Sequence, residues 1–254
     1  MAIEFSRIPS DSLLGRAVRL PLRILPKEWA VPILQGSNRG HLWIIGSGVH
    51  GYWLGCYELA KQRAIAEVVK PGMVFYDVGA NVGFYTLLAS RLVGEAGKVE
   101  AFEPFHRNLA FLRRHVGMNR CGNVRIYPGA VTDRRGKGRF NAGTDPSTGR
   151  LDESGCAEVE LVSLDELVDS GEILPPNVIK MDIEGGEGAA LRGATRVLRG
   201  YQPTLFVSIH GRKMGDDVKM TLLSLGYEII GLNEAEVDKC DEWIARGRPR
   251  PNAR

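Results

Sequence analysis

Four residues in the second half of the sequence carry side chains able to move a proton or hold a cation. Lys180, Asp182 and Glu184 stand at every second position of Lys180-Met-Asp-Ile-Glu-Gly185, and His210 closes Ser208-Ile-His210. Alternate residues of an extended strand project to one face, so the three charged groups share a side. Beyond the last pleat, Glu184 can turn into a crevice at the strand's carboxyl end. A base within ~2.6–3.2 Å of a hydroxyl can take its proton as a new bond forms, and an imidazole can do so near neutral pH. Plainer readings exist for the same residues. Lys180–Asp182 can be an ion pair on a covered strand, because buried charges need partners, and His210 can be an ordinary hydrogen-bonded residue. Asp182, Glu184 and Glu187 offer oxygen ligands of the kind Mg2+ takes, but no second acidic cluster joins them, and no metal is expected.

A second set of residues suits binding. Asp77-Val-Gly-Ala-Asn-Val-Gly83 follows the β-rich run Met73–Tyr76 and opens a helix over Phe84–Leu92. Gly79 and Gly83 let the backbone pass close to a ligand. Asp77 puts a carboxylate beside that turn, which repels a pyrophosphate and attracts a sulfonium or an α-ammonium. Glu103, ending the next strand, is placed to accept hydrogen bonds from both hydroxyls of a ribose. A competing motif, Gly46-Ser-Gly-Val-His-Gly51, matches G-x-G-x-x-G, follows the strand-like His41–Ile45 and precedes a helix-compatible run over Tyr52–Val69. Its spacing is that of a dinucleotide loop. Enough strands follow Asp77 to complete a sheet, however, which makes Gly46–Gly51 a turn in an N-terminal lid.

The elements that must position these residues alternate from about Gly72 onward. Strands are expected at Met73–Tyr76, Lys98–Phe102, Val124–Tyr127, Val178–Met181, Thr204–Ile209, Tyr227–Ile230 and, more weakly, Glu242–Ala245. Helix-compatible segments separate them, the pattern of a mostly parallel seven-stranded sheet covered on both faces. The stretch 133–164 is too long for an ordinary connection. It reads as a partly strand-forming insertion, with a strand at Ala157–Val162 and a capped helix start at Ser163–Glu166, bordering an acceptor site. Residues 1–70 form an N-terminal extension and 71–254 the main domain. The basic stretch Arg16–Arg23 is a solvated helix face or touches a membrane surface or acidic partner.

Bulk properties exclude several classes. A length of 254 residues fits one full-sized core, and 44% hydrophobic with 25% charged residues is ordinary globular composition. The net charge of +3 does not imply nucleic acid. The scattered Cys56, Cys121, Cys156 and Cys240 suit a reducing cytoplasm, and neither a signal peptide nor a transmembrane segment is visible.

From Trp53 to Arg246 the sequence resembles the FkbM-type methyltransferases of the class I, Rossmann-like fold. The resemblance rests on an ordered series: Trp53-Leu-Gly-Cys-Tyr-Glu58, Pro71-Gly72, the loop Asp77–Gly83, Phe102-Glu-Pro104, Asn123-Val124, Gly129-Ala-Val-Thr-Asp133, Ser163-Leu-Asp165, Ile179-Lys-Met-Asp-Ile-Glu-Gly185 with Glu187, Leu191-Arg-Gly-Ala194 and Ser208-Ile-His210. It implies S-adenosyl-L-methionine as cofactor, held by Asp77, Gly79, Asn81, Gly83 and Glu103. Ala130 and Val131 would lie near the adenine and Asp182 near the methionine moiety. Glu58 is a candidate for reaching cofactor or acceptor, or for simple packing. The implied reaction is O-methylation of a hydroxyl on a sugar, a glycan or a secondary metabolite, with Lys180, Asp182, Glu184 and His210 as catalytic candidates. The family often has an acid before the fifth-strand His, where this chain has Ser208. Two other functions compete: a nicotinamide oxidoreductase using Gly46–Gly51, and a nucleoside-binding module that transfers nothing. The oligomeric state is not legible.

Overall fold

The computed structural model describes residues 25–143, 149–234 and 236–247. The described chain begins with an antiparallel pair, β1 (Ala30–Pro32) and β2 (Leu42–Ile44), then α1 (His50–Leu54) and α2 (Leu59–Val68). Strands and helices next alternate: β3 (Val74–Val78), α3 (Phe84–Val93), β4 (Lys98–Phe102), α4 (His106–Met118) and β5 (Val124–Tyr127). Four short strands follow, β6 (Gly129–Val131), β7 (Gly136–Asn141), β8 (Arg150–Leu151) and β9 (Ala157–Val162), and then α5 (Leu164–Asp169). The last part comprises β10 (Val178–Met181), α6 (Glu187–Arg192), α7 (Thr195–Tyr201), β11 (Thr204–Ser208), α8 (Arg212–Ser224), β12 (Tyr227–Gly231) and β13 (Glu242–Gly247).

All seven expected strands join one sheet in the order β12-β13-β11-β10-β3-β4-β5. Pairing is parallel except along β13, which runs antiparallel to both neighbours. The central strands β3 and β10 are buried at every position, as short, near-continuous apolar runs are when helices cover both faces of a parallel sheet. Val74, Tyr76 and Val78 point into one core with Ile179, Met181, Leu205 and Val207, closed by Leu164, Leu191, Leu198 and Leu222 from α5 to α8. Phe75, Val178, Phe206 and Ile244 point to the other, closed by Trp43, Ile65, Leu87 and Leu88. Asp77 and Lys180, paired in register, lie on this second face.

The N-terminal segment differs from its expected form. The run Tyr52–Val69 is two helices, not one, because the chain turns at Gly55 (φ 75°), where a Cβ would overlap the Gln35 carbonyl, and again at Glu58 (φ 43°). That break carries Tyr57 and Glu58 toward the sheet. The strand expected at His41–Ile45 shortens to β2 and pairs with β1 instead of the parallel sheet. Gly48 has φ −172°, extended backbone open to any residue; its tightness comes from the Tyr52 ring, and that of Gly46 from Lys27. Nearby, Trp43 stacks on His115 with ring centroids 3.9 Å apart. The Ile44 N–H donates to His115 Nε2, and burial lowers the pKa of this imidazole to about 4.

Three strands of the stretch 133–164 join β6, which precedes it, in a small second sheet of order β6-β9-β7-β8, with β6 and β9 parallel. Ser163 caps α5 by accepting the Glu166 N–H. No helix among the described residues is long and apolar enough to cross a membrane, and the basic stretch Arg16–Arg23 lies outside the described residues. No disulfide links the four cysteines, all of which lie among the described residues.

Candidate functional site

A cavity of about 580 Å³ opens at the carboxyl ends of β3, β4, β10 and β11. β3 lies between β4 and β10, so the connections leave it in opposite directions, and such a switch point is where open α/β sheets bind ligands. The volume is that of an ordinary small-molecule site.

One end is built by the loop after β3. Gly79 (φ 77°) and Ala80 donate their N–H groups to the Phe102 carbonyl, and a Cβ on Gly79 would overlap the Asp182 carbonyl. Only glycine lets the two strand ends approach so closely. Asn81, also at positive φ, donates its N–H to Glu103 Oε2 at 2.8 Å, while Phe105 N–H donates to Oε1 at 2.9 Å. Burial pushes the Glu103 carboxyl up to about 7, against these hydrogen bonds, which favour its charged form. Gly79, Asn81, Glu103, Ala130 and Val131 all line the cavity. A buried carboxylate beside a backbone that passes at close range, with apolar Phe102, Ala130 and Val131 next to it, fits the ribose and base of a nucleoside.

Asp77 and Gly83 support this wall without forming it. Gly83 (φ 98°) precedes α3, where a Cβ would meet Leu112. The sequence suggests that Asp77 attracts a cationic ligand directly. Instead it is fully buried, accepting from Thr86 Oγ1 at 2.6 Å and lying 3.3 Å from Lys180 Nζ. Lys180 also donates to the Gly79 carbonyl at 2.7 Å and stands 4.0 Å from Asp182. Its ammonium therefore ties β3, the glycine turn and β10 together, so the ion-pair reading of Lys180 holds with Asp77 as the nearer partner.

Beneath the floor of the cavity lies a residue that the sequence reading missed. Lys61 of α2 is almost fully buried, and its Nζ contacts Ser208 Oγ at 2.8 Å and Glu242 Oε2 at 2.8 Å, with Glu58 at 3.5 Å and Asp182 at 4.0 Å. Burial opposes its charge, but Glu58, Asp182 and Glu242 outweigh that cost and raise its pKa. Glu58 accepts from Tyr85 Oη at 2.6 Å. Ser208 is in register with Glu242 and hydrogen-bonds to it, so the acid expected before His210 reaches this place from the adjacent strand. Neither residue carries a sequence signal: Lys61 reads as a solvated helix position and Glu242 as the start of the weakest strand.

The other end gathers Asp182, Glu184 and His210. Glu184 has φ 53° and turns out of the strand line into the cavity. His210 Nε2 lies 3.6 Å from Asp182 Oδ1 and 3.5 Å from Glu184 Oε1, while Nδ1 meets Glu187 Oε1 at 2.8 Å. The bond to Glu187 raises the imidazole to about 9; burial opposes the rise, and Glu184 and Asp182 add to it. This corrects the expectation of a histidine base near neutral pH, because the ring as placed is already protonated there. Burial raises the Glu184 carboxyl, whereas Asp182 is lowered, its burial outweighed by Lys180, Lys61 and His210. The carboxylates, not the imidazole, are free to accept a proton. Phe140, Arg150 and Leu151 from the second sheet also line the cavity.

The family model described as the Methyltransferase FkbM domain matches residues 77–229. The hexuronic acid methyltransferase AglP of Haloferax volcanii is 31% identical over 179 residues, covering 68% of this chain and 72% of that protein. The crystal structure of methyltransferase FkbM from Methylobacillus flagellatus KT superposes with a TM-score of 0.50 at 20% identity, covering 77% of this chain. This chain spans about half of that solved chain, 52%.

Proposed function

We propose, for a chain that belongs to the FkbM methyltransferase family and is an S-adenosylmethionine-dependent methyltransferase, that the methyl acceptor is a sugar hydroxyl, with a hexuronic acid as the first class to test. The observation that carries this reading is one continuous cavity with a nucleoside-type wall at Glu103 and converging carboxylates at Asp182 and Glu184. S-adenosyl-L-methionine supplies an electrophilic methyl group on a sulfonium. Glu103, Gly79 and Asn81 hold the nucleoside half, and the acidic floor of Glu58, Asp182 and Glu242 favours the cationic half. Asp182 or Glu184 orients the acceptor hydroxyl and takes its proton, becoming a neutral carboxylic acid, and charged His210 holds these groups as carboxylates until then.

Arg150 is an exposed cation on the acceptor wall, 3.8 Å from Asp152 and with an electrostatic pull on Glu184. It is suited to a sugar carboxylate. The test is transfer of labelled methyl from S-adenosylmethionine to glucuronic and galacturonic acid glycosides and to their neutral counterparts, with mass analysis of the product. O-methylated uronate is the expected result, and Arg150→Ala should raise KM for the uronate about 10-fold, the scale of a lost charged hydrogen bond, while sparing a neutral sugar. Donor binding without transfer to any sugar would support a binding module instead.

Glu103→Ala tests the donor half alone. It should weaken S-adenosylhomocysteine binding by about 1–3 kcal/mol in calorimetry. Unchanged affinity would reject the ribose assignment.

A further inference from the structure

We infer that Asp182 Oδ1, Glu184 Oε1 and His210 Nε2 form a binding site for a first-row divalent cation such as Mn2+, at the acceptor end of the cavity. One donor atom from each residue lies within 4.8 Å of the other two. Asp182 and Glu184 come from the end of β10 and His210 from the end of β11, so the parallel pairing of these strands brings together ligands that lie far apart in sequence. The sequence reading found no second acidic cluster; the missing ligand is an imidazole from the neighbouring strand.

The hydrogen bonds around the triad are those of a metal-binding histidine. Nδ1 is committed to Glu187, which is fully buried on α6 and whose Oε1 also accepts the Gly185 N–H. A carboxylate on the far nitrogen fixes the ring orientation and turns Nε2 toward the ion, which binds there by displacing the proton that Nε2 carries in the ion-free protein. Nε2 faces two carboxylate oxygens at 3.5 and 3.6 Å, too far for good hydrogen bonds. Metal–ligand bonds of about 2.1 Å set neighbouring ligand atoms about 3.0 Å apart in an octahedron and about 3.4 Å apart in a tetrahedron. His210 Nε2 reaches these spacings from each carboxylate by a contraction of a few tenths of an ångström, and the two carboxylate oxygens lie within 4.8 Å of each other.

Charge favours the same occupant. Asp182 divides its oxygens: Oδ2 faces Lys61 and Lys180 at 4.0 Å, leaving Oδ1 for the triad. Among the residues lining the cavity, Glu58, Glu103, Asp182, Glu184 and Glu242 outnumber Arg150, Lys180 and His210. One imidazole with two carboxylates suits Mn2+ or Fe2+ better than Ca2+, which takes an all-oxygen set. The three side chains are each about a quarter exposed (Asp182 24%, Glu184 27%, His210 29%), so the remaining coordination positions face the cavity. They suit two neighbouring oxygens of an acceptor, a vicinal diol or a hydroxyl beside a carboxylate. The cation would make the ligated hydroxyl more acidic and hold it toward the methyl group. That role rests on the methyl-transfer reading, but the site itself does not.

The test titrates Mn2+ into EDTA-treated, dialysed full-length protein and follows the free-ion signal by electron paramagnetic resonance. Saturable binding of one ion per chain is expected. Glu184→Gln and His210→Ala should each weaken it by at least about 10-fold, with S-adenosylhomocysteine binding retained. Should His210→Ala fail to fold, Glu184→Gln decides alone. No saturable binding to the unmodified protein, or binding that both variants keep, overturns the site. Full methyl transfer in EDTA by a protein that binds no Mn2+ overturns the site and leaves the transferase reading intact. Mn2+ binding of the expected kind in a protein that does not bind S-adenosylhomocysteine leaves the site standing and removes the donor reading.

Discussion

Asp182→Asn should lower kcat by about 10²- to 10⁴-fold, the range for losing a catalytic base, while S-adenosylhomocysteine affinity falls less than about 10-fold. The asparagine keeps the shape but has no negative charge to accept a proton or to pair with Lys61, Lys180 and His210. In the native protein these three cations overcome the burial cost and keep the carboxyl ionised. The donor wall at Glu103 and Asn81 is untouched, since its hydrogen bonds run through a different strand end. Kinetics on the identified acceptor, paired with calorimetry, separate the two effects. Turnover within a few-fold of normal would reject Asp182 as base or orienting group.

The second large effect concerns stability. Lys61→Met should destabilise the protein by about 3–5 kcal/mol near neutral pH, the cost of leaving buried charge unpaired. For a chain of this length that is a fall in Tm on the order of 10 °C. Met fills the channel of the methylenes but leaves Glu58 and Glu242 without their ammonium. The sign of the pH dependence follows from Glu242, whose pKa burial already raises, with Lys61 opposing. Without Lys61 the rise is larger. A carboxyl raised above its unfolded value stabilises fully at low pH and loses that contribution as pH climbs through the folded value. The deficit of Lys61→Met should therefore be small near pH 5 and grow toward pH 8, and adding Glu242→Gln should recover part of it. Urea unfolding at both pH values measures this. An equal deficit at both would mean that Lys61 acts through packing alone.

The strands and the donor wall were legible in the sequence because both rest on local signals. Short β-rich apolar runs mark β3 and β10, and the glycines after β3 mark the place where backbone must approach backbone. What escaped was long-range. Lys61 lies on a short helix whose burial depends on the break at Gly55, and Glu242 belongs to a strand whose partners come from elsewhere in the chain. Asp77 shows the converse error: its position was read correctly, but whether its charge faced a ligand depended on Lys180, about a hundred residues later. His210 was found, yet its protonation state was set by Glu187 on a different helix. Charge state is a property of the assembled neighbourhood and has no local signature.

The central placement of β13 has a consequence for synthesis. Among the described residues it is the last strand made, yet it lies between β11 and β12, and β12 has no other partner in the sheet. A chain emerging from the ribosome at about 5–20 residues per second must hold Tyr227–Gly231 unpaired until Glu242–Gly247 follows. The same late segment brings Glu242 to Lys61, so the nascent protein can assemble its donor wall well before the floor of its cavity is electrically balanced. Ribosome-bound chains cut short between β12 and β13 would present β11 as an open edge, and that is the interval in which this protein most needs a chaperone.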